Sequence, residues 1–313
     1  MHEPLVSIVI PIFDQEDFVV EAVASAVDQT YRNLQIIVVD DGSTDNGAVL
    51  LEREFGGRIE LIRQRKKGPS AATNTGIAAA RGEFIALLGG DDVCVRERIE
   101  IQLGLMHETG HDVVFSKPFL IDEDGQELPD SSFPIFFQEA RPRPSLRALV
   151  LEGNFLCAPS ALMRRDVIDR IGVFRPGLVQ LQDYDYWLRA TASGLSLEEI
   201  EPRIVRYRRH PRNLSTERAG FASSAELLPV IRAMVEHGDP IQVRAAFAGI
   251  FEPVIDEAAP LSLFDKALFL LAHPRDEVRS MGVEYLISLF EDRDFAEKAD
   301  RMNFNLFRFA RNV

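Results

Sequence analysis

The sequence predicts an α/β fold, a doubly wound sheet followed by a helical C-terminal region. Three observations carry that prediction. Apolar runs of strand length alternate with segments whose apolar residues fall at helical spacing, which implies parallel strands covered by helices. Proline and aspartate stand where strands end, at Pro11, Asp41 and Asp91-Asp92, and open α/β sheets bind ligands at the carboxyl ends of their strands. From residue 219 onward the strands give way to helical stripes interrupted by Pro229, Pro240, Pro253, Pro260 and Pro274.

Val6 to Ile10 reads as the first strand, stopped by Pro11, and Leu34 to Val39 as the second, rich in β-branched residues and ending at Asp40-Asp41-Gly42. Val20, Val23, Ala24 and Val27 share one helical face between them, completing a β-α-β unit. Ser43 or Thr44 is placed to cap the next helix, marked by Ala48, Leu51 and Phe55, and Ile59 to Ile62 supplies a third strand. A small-residue helix from Ser70 to Ala80 leads into Phe84-Ile85-Ala86-Leu87-Leu88, a buried strand bounded by Gly82 and by Gly89-Gly90. Asp112 to Ser116 and Phe119 to Ile121 read as strands; the turn Asp122-Glu123-Asp124-Gly125 after them is too short for an EF-hand loop and is assigned no calcium. Residues 126 to 147, rich in Pro and Arg, read as a mobile excursion whose Arg141, Arg143 and Arg147 could draw an anionic acceptor or a lipid surface; scattered loop charge is the plainer reading. Leu261, Phe264, Leu268 and Leu271, then Val283, Leu286, Ile287 and Phe290, mark C-terminal helices whose stripes face a core.

Bulk properties exclude several classes. A chain of 313 residues can bury a large core in one domain or two. Its net charge of -14 lacks the basic footprint of a nucleic-acid binder. Cys94 and Cys157 lie too far apart in sequence for a disulfide framework or a metal-ligand pair, and read as reduced thiols. Neither a signal peptide nor a transmembrane-length apolar run is present, so a cytoplasmic location is expected.

The chemistry concentrates at Asp91-Asp92. Two adjacent ionised carboxylates emerging from a buried strand repel each other and lose hydration unless a cation lies beside them. Magnesium or manganese suits such a pair, because either ion completes its shell with water and substrate phosphates. A solvated acidic turn is the bland alternative. Two competing folds are weaker. The first strand is followed by Pro-Ile-Phe-Asp-Gln-Glu rather than the G-x-G-x-x-G of a dinucleotide-binding domain, and a receiver-like phosphoacceptor leaves the second half of the chain unexplained.

Five blocks in order carry a resemblance. Pro11 to Glu16, Gln29-Thr30-Tyr31, Val39 to Asp45, Gly68 to Ile77 and Ala80 to Ile85 resemble the successive motifs of family 2 glycosyltransferases. The resemblance implies a GT-A fold with a mixed sheet, a nucleotide-diphosphate-sugar donor, with a UDP-sugar favoured, and transfer with inversion. It implies that Pro11, Phe13, Glu16 and Asp41 hold the base and ribose, that Asn74 lies with the donor, and that Asp91 and Asp92 act as ribose and metal ligands. Gln182 to Arg189 is similar to the block that carries the family's catalytic base, which places that role on Asp183, at the opening of a helix whose Trp187 turns inward one turn later. Arg206 to His210 is similar to a block that closes over the donor phosphates, so His210 would touch metal or diphosphate. Two departures stand out. Gly89 occupies the place of a first Asp, and Thr73 that of an Arg. They keep a second reading open, a nucleotide- or glycan-binding protein without turnover.

The resemblance divides the chain into a transferase domain at 1–218, with a donor half at 1–115 and an acceptor half at 116–218, and a helical region at 219–313. Its acceptor would be a glycan, a lipid-linked sugar or a protein, in work such as cell-surface polysaccharide synthesis at the inner face of a membrane. The helical region would pack back, touch a membrane peripherally or form an oligomer, and donor binding is expected to be separable from it.

Overall fold

A computed structural model describes residues 3–132, 141–215, 220–251 and 256–301. Its centre is a mixed sheet of seven strands. In chain order these are β1 (Val6–Ile12), β2 (Leu34–Asp40), β3 (Glu60–Arg63), β4 (Phe84–Leu87), β6 (Val113–Ser116), β9 (Leu162–Arg164) and β10 (Leu197–Ile200). Across the sheet the order is β10-β6-β9-β4-β1-β2-β3. β1 runs parallel to both β2 and β4, and β2 is parallel to β3. β9 enters antiparallel between β4 and β6, which makes the sheet mixed. A smaller sheet, ordered β5-β11-β7-β8, is built from β5 (Val93–Cys94), β7 (Phe119–Ile121), β8 (Glu127–Leu128) and β11 (Val205–Arg208).

Both faces of the large sheet are covered, as buried parallel strands require. One face packs α1 (Val19–Val27), α2 (Gly47–Phe55) and α4 (Arg98–Thr109) against Ile8, Ile10, Ile36 and Val38. The other packs α3 (Pro69–Ala79), α5 (Leu146–Glu152), α6 (Arg165–Ile171) and α7 (Gln182–Ala192) against Val9, Ile37, Ile85 and Phe115. Gly76 of α3 sits where a Cβ would fall 2.4 Å from Val9 Cγ1, so only glycine lets the helix approach the sheet this closely. Trp187, fully buried, meets Phe115 edge-on at 4.7 Å, as its inward helical position predicted.

Several boundaries differ from the sequence reading. Pro11 does not stop β1, which continues to Ile12 and pairs with β2 throughout. β4 reaches only as far as Val9, so beyond it β1 has one neighbour and a missing N–H is tolerated. Ser43 and Thr44 do not cap α2, whose N-cap is Asn46. Pro229, expected as a breaker, lies inside α8 (Gly220–His237), held there by Leu227, Val230, Ile231 and Met234, which are buried. Residues 133–140 of the expected excursion lie outside the described residues; on its far side Arg141 is drawn into an ion pair with Glu199 at 2.5 Å, not offered to an acceptor.

After α8 come α9 (Pro240–Ala246), α10 (Leu263–Leu271), α11 (Asp276–Phe290) and α12 (Arg293–Arg301). One apolar cluster joins Tyr184, Trp187 and Leu188 of α7 to Val230, Ile231 and Met234 of α8, Phe269 of α10 and Met281 of α11. Position 218 is thus no break in the core. α10 and α11 approach closely at Gly282, where a Cβ would lie 2.9 Å from Leu271 Cγ. Leu286 is buried as the stripe predicted, whereas Ile287 is 50% exposed. Among the described residues, no helix is long and apolar enough to cross a membrane.

Candidate active site

The first wall of the site forms where β1 and β2 end. Asp14 takes a left-handed conformation, φ 49°, one that Asp tolerates better than most residues. Three bonds hold it: Asp14 Oδ1 accepts from Thr44 N at 2.7 Å and Thr44 Oγ1 at 3.2 Å, and Asp14 N donates to Ser43 Oγ at 3.0 Å. Glu16 Oε2 accepts from Asn46 N at 2.9 Å, and Glu16 N donates to Asp45 Oδ2 at 2.8 Å. The acidic block after β2 therefore latches the loop after β1. Phe13 is half-buried beneath Lys66, whose Nζ lies 3.6 Å from the ring centre, while Pro11 lies below it on β1.

Asp41 is 3% exposed and spends its carboxylate on the loop at 64–68. Oδ1 accepts from Gln64 Nε2 at 2.7 Å and Lys67 N at 2.8 Å, and Oδ2 accepts from Gly68 N at 2.8 Å. Charge-assisted bonds of this kind are strong, and they fix the basic loop beside Phe13. Gly42, at φ 79° and with the Lys66 peptide in the place of a Cβ, has to be glycine. Asn74 is similarly occupied. Its Nδ2 donates to Phe174 O at 2.7 Å and its Oδ1 accepts from Phe174 N at 2.9 Å, tying α3 to the segment that precedes α7.

The acidic pair lies just beyond β4. Asp91 Oδ2 accepts from Asn213 Nδ2 at 3.2 Å and meets His210 Nε2 at 2.9 Å. His210 Nδ1 accepts from Arg212 N at 3.2 Å, which assigns the proton to Nε2 and makes His210 the donor to Asp91. His210 would have to give up that proton to bind a metal. Asp92 is 1% exposed; its Oδ1 accepts from Arg208 N at 3.0 Å. Burial and the adjacent Asp91 charge hold the Asp92 carboxyl well above the usual carboxylate range. Beneath the pair, the buried Arg208 guanidinium donates to the carbonyls of Asp91, Asp122 and Glu123 and to Glu21.

Among the described residues no group of three or more His, Cys, Asp or Glu is arranged to hold a metal ion. The two carboxylates nevertheless converge. A Cβ on Gly89 would fall 2.5 Å from Asp92 Oδ2 and 2.7 Å from Asp91 Oδ1, so glycine keeps open the space over which both oxygens lean. Two converging carboxylates fit a hard divalent cation that takes its remaining ligands from water and phosphate. Gly89→Ala is expected to push Asp92 off the Arg208 peptide and weaken manganese-supported donor binding by about tenfold or more, the worth of one displaced charged bond. Calorimetry with and without manganese checks this; wild-type affinity in the variant would show that the gap has no role.

Asp183 lies in the first turn of α7, half-buried. Its Oδ2 accepts from Asn154 Nδ2 at 2.9 Å and its Oδ1 from Tyr184 N at 2.8 Å, and burial pushes its carboxyl up to about 6. Asp185 is different. Its two oxygens pair with Arg175 at 3.1 Å and Arg189 at 2.9 Å, which leaves it structural. The segment that leads to the buried Cys157 supplies Asn154, which holds Asp183. Sequence reasoning missed Asp14, Arg208, Asn154 and Asn213. Asp14 and Arg208 stood inside quoted blocks; Asn154 and Asn213 carry no local signal, because their partners are 29 and 122 residues away.

Comparisons with known proteins agree with this architecture. The family model described as glycosyl transferase family 2 matches residues 7–172, which leaves Asp183 and His210 outside the match. An uncharacterized glycosyltransferase of Rickettsia felis is 34% identical over 193 residues, covering 59% of this chain and 31% of the relative. One from Methanocaldococcus jannaschii is 28% identical over 214 residues, covering 66% of this chain and 72% of its own. The chain thus spans only about a third of the Rickettsia felis relative's length. Among solved structures, Staphylococcus aureus TarS in complex with UDP-GlcNAc superposes with a TM-score of 0.61 at 17% identity, over 96% of this chain and 93% of that one. The mannosyltransferase PcManGT of Pyrobaculum calidifontis, in complex with GDP-Man and Mn2+, superposes with a TM-score of 0.56 at 13% identity, over 96% and 84%. The fold is therefore GT-A, and with more than half of its length matched to the family model this chain belongs to glycosyl transferase family 2.

Proposed function

We propose that this chain transfers a sugar, with inversion, from a nucleotide-diphosphate sugar to a hydroxyl of a glycan, lipid-linked or protein acceptor. UDP-sugars are the first choice of donor, supported by the TarS complex with UDP-GlcNAc. The observation that carries the reading is the contrast between two acidic centres. At 183 a single carboxylate, bonded to an amide and to peptide N–H groups, is pushed up to about 6; at 91–92 two carboxylates converge over Gly89.

That contrast suits a division of labour. Asp183 takes the proton from the acceptor hydroxyl as its oxygen attacks the anomeric carbon, on the face opposite the departing diphosphate; the bond to that diphosphate breaks as the new bond forms. A bound magnesium or manganese ion would offset the charge that gathers on the leaving diphosphate. Asp91 and Asp92 would hold that ion, and the His210 N–H and Asn213 amide keep the Asp91 carboxylate turned toward it. Pro11, Phe13 and Glu16 would border the base and ribose. Asp41 would serve by fixing the Lys66 loop over them, and Asn74 by fixing the approach to α7.

UDP release from UDP-GlcNAc with manganese, together with thermal shift across a panel of nucleotide sugars, tests the reading. A donor at 100 times its Kd is expected to add about 2.7 kcal/mol of stability. Thr73, in the place of an Arg, favours the second reading, binding without turnover, and donor stabilisation with no release in the presence of acceptor extracts would establish it in place of the first.

A further inference from the structure

We propose that Glu226, on α8 of the C-terminal region, is a positioning residue for Asp183. The inference rests on the reading of Asp183 as the base. Glu226 Oε1 accepts from Val179 N at 2.8 Å, and Oε2 from Gln180 N at 2.9 Å and Leu181 N at 2.8 Å. Three consecutive peptide donors thus converge on one carboxylate, immediately before α7 begins at Gln182. Charge-assisted bonds of this kind are about twice as strong as neutral ones. A negative charge at this end of α7 is also favoured by the helix dipole.

The segment that Glu226 grips is the strap between donor half and base. Phe174 is tied to Asn74 and Leu178 O accepts from Ser70 Oγ at 2.8 Å, both partners on α3. Between these ties and Asp183 the backbone has only residues 179–182, and Glu226 holds the first three. Glu226 is held in turn. Farther along α8, Glu236 accepts from Tyr285 OH of α11 at 2.7 Å and pairs with Lys266 of α10. Beside the apolar cluster shared with α7, the helical region thus reaches the strap itself through the Glu226 carboxylate, and a loosened strap would let Asp183 tilt away from its Asn154 bond. A misplacement of about 1 Å is enough to lower a rate by about a hundredfold.

The test uses the full-length protein. Glu226→Gln keeps the shape but sets an amide N–H against at least one peptide donor. Amide exchange at Val179, Gln180 and Leu181 is expected to quicken by about tenfold or more. Release of UDP from UDP-GlcNAc, with manganese and with water as acceptor, is expected to fall about ten- to a hundredfold in kcat with the donor KM unchanged. Titration of the Asp183 carboxyl followed by carbon-13 NMR is the readout that a merely structural role would leave in place; it should move down from about 6 as the loosened strap admits water. Arg232→Ala, which removes an α8 contact to Met281 instead, should leave that titration and kcat unchanged. Faster exchange at 179–181 with wild-type kcat and wild-type Asp183 titration would overturn the role of Glu226 and leave Asp183 as base. Near-normal turnover in Asp183→Asn would instead remove the base assignment, whatever Glu226→Gln does.

Discussion

Asp183→Asn is expected to lower sugar transfer by about a hundredfold to ten-thousandfold, the range that a general base supplies, while donor affinity stays at its wild-type value. The substitution keeps the shape, but its one amide oxygen can accept from only one of Asn154 Nδ2 and Tyr184 N, so unchanged donor affinity and an unchanged fold are read beside the rate to isolate the proton transfer. Wild-type transfer should rise with pH through about 6, because the base works only when deprotonated, and that limb should vanish in the variant. Stability moves the other way. A carboxyl raised in the folded state contributes stability that is present below its unfolded value, about 4, and is lost as pH rises through about 6. Asp183→Asn should therefore gain on the wild type in melting temperature between those two values and hold the gain above them. Asp185→Asn should cost folding stability rather than chemistry, since it breaks a buried pair with Arg175 and Arg189. Rate and pH profiles on both variants decide the matter. A larger rate loss in Asp185→Asn than in Asp183→Asn would move the base.

Arg208→Ala is expected to cost about 3–5 kcal/mol, because removing one partner of a buried charged network strands the others. Three main-chain carbonyls, those of Asp91, Asp122 and Glu123, would lose the donor that the buried guanidinium supplies. Each unsatisfied group of that kind costs about 1–3 kcal/mol. The ion pair with Glu21 adds little to the total, since Glu21 is 57% exposed at its side chain and screened by solvent. Asp92 would respond as well. With a nearby positive charge gone, its carboxyl should rise further, and the backbone of Asp91 would lose the bond that fixes it. Urea unfolding measures the cost and calorimetry the accompanying loss of donor binding. A change below about 1 kcal/mol would place Arg208 among ordinary surface arginines, contrary to its 1% exposure.

The sequence by itself determined the α/β alternation, the strand ends beyond which Asp41 and Asp91 stand, and the inward turn of Trp187. Period-two and period-3.6 apolar patterns are local properties, and a strand that must be buried on both faces announces itself by being continuously apolar. The resemblance of the ordered blocks led to the family, because each block keeps its residues within a few positions of one another. Tertiary structure decided the roles. Ser43 and Thr44 have the chemistry of helix caps, yet they bond Asp14, some 30 residues earlier in the chain. Asp41 and Asn74 look like donor ligands in sequence and are held by the 64–68 loop and by Phe174. Gly89 reads as a missing carboxylate, whereas in space it is the gap that two carboxylates lean over. Asp183 and Asp185 are equivalent by composition; only the placement of two arginines beside Asp185 and of one neutral asparagine beside Asp183 separates them. Glu226 gave no signal at all, since nothing local marks a carboxylate whose three partners are peptide N–H groups 45 to 47 residues away. Secondary structure follows from neighbours along the chain, but charge, hydration and hydrogen-bond supply are set by neighbours in space, and those are fixed only once the core has packed.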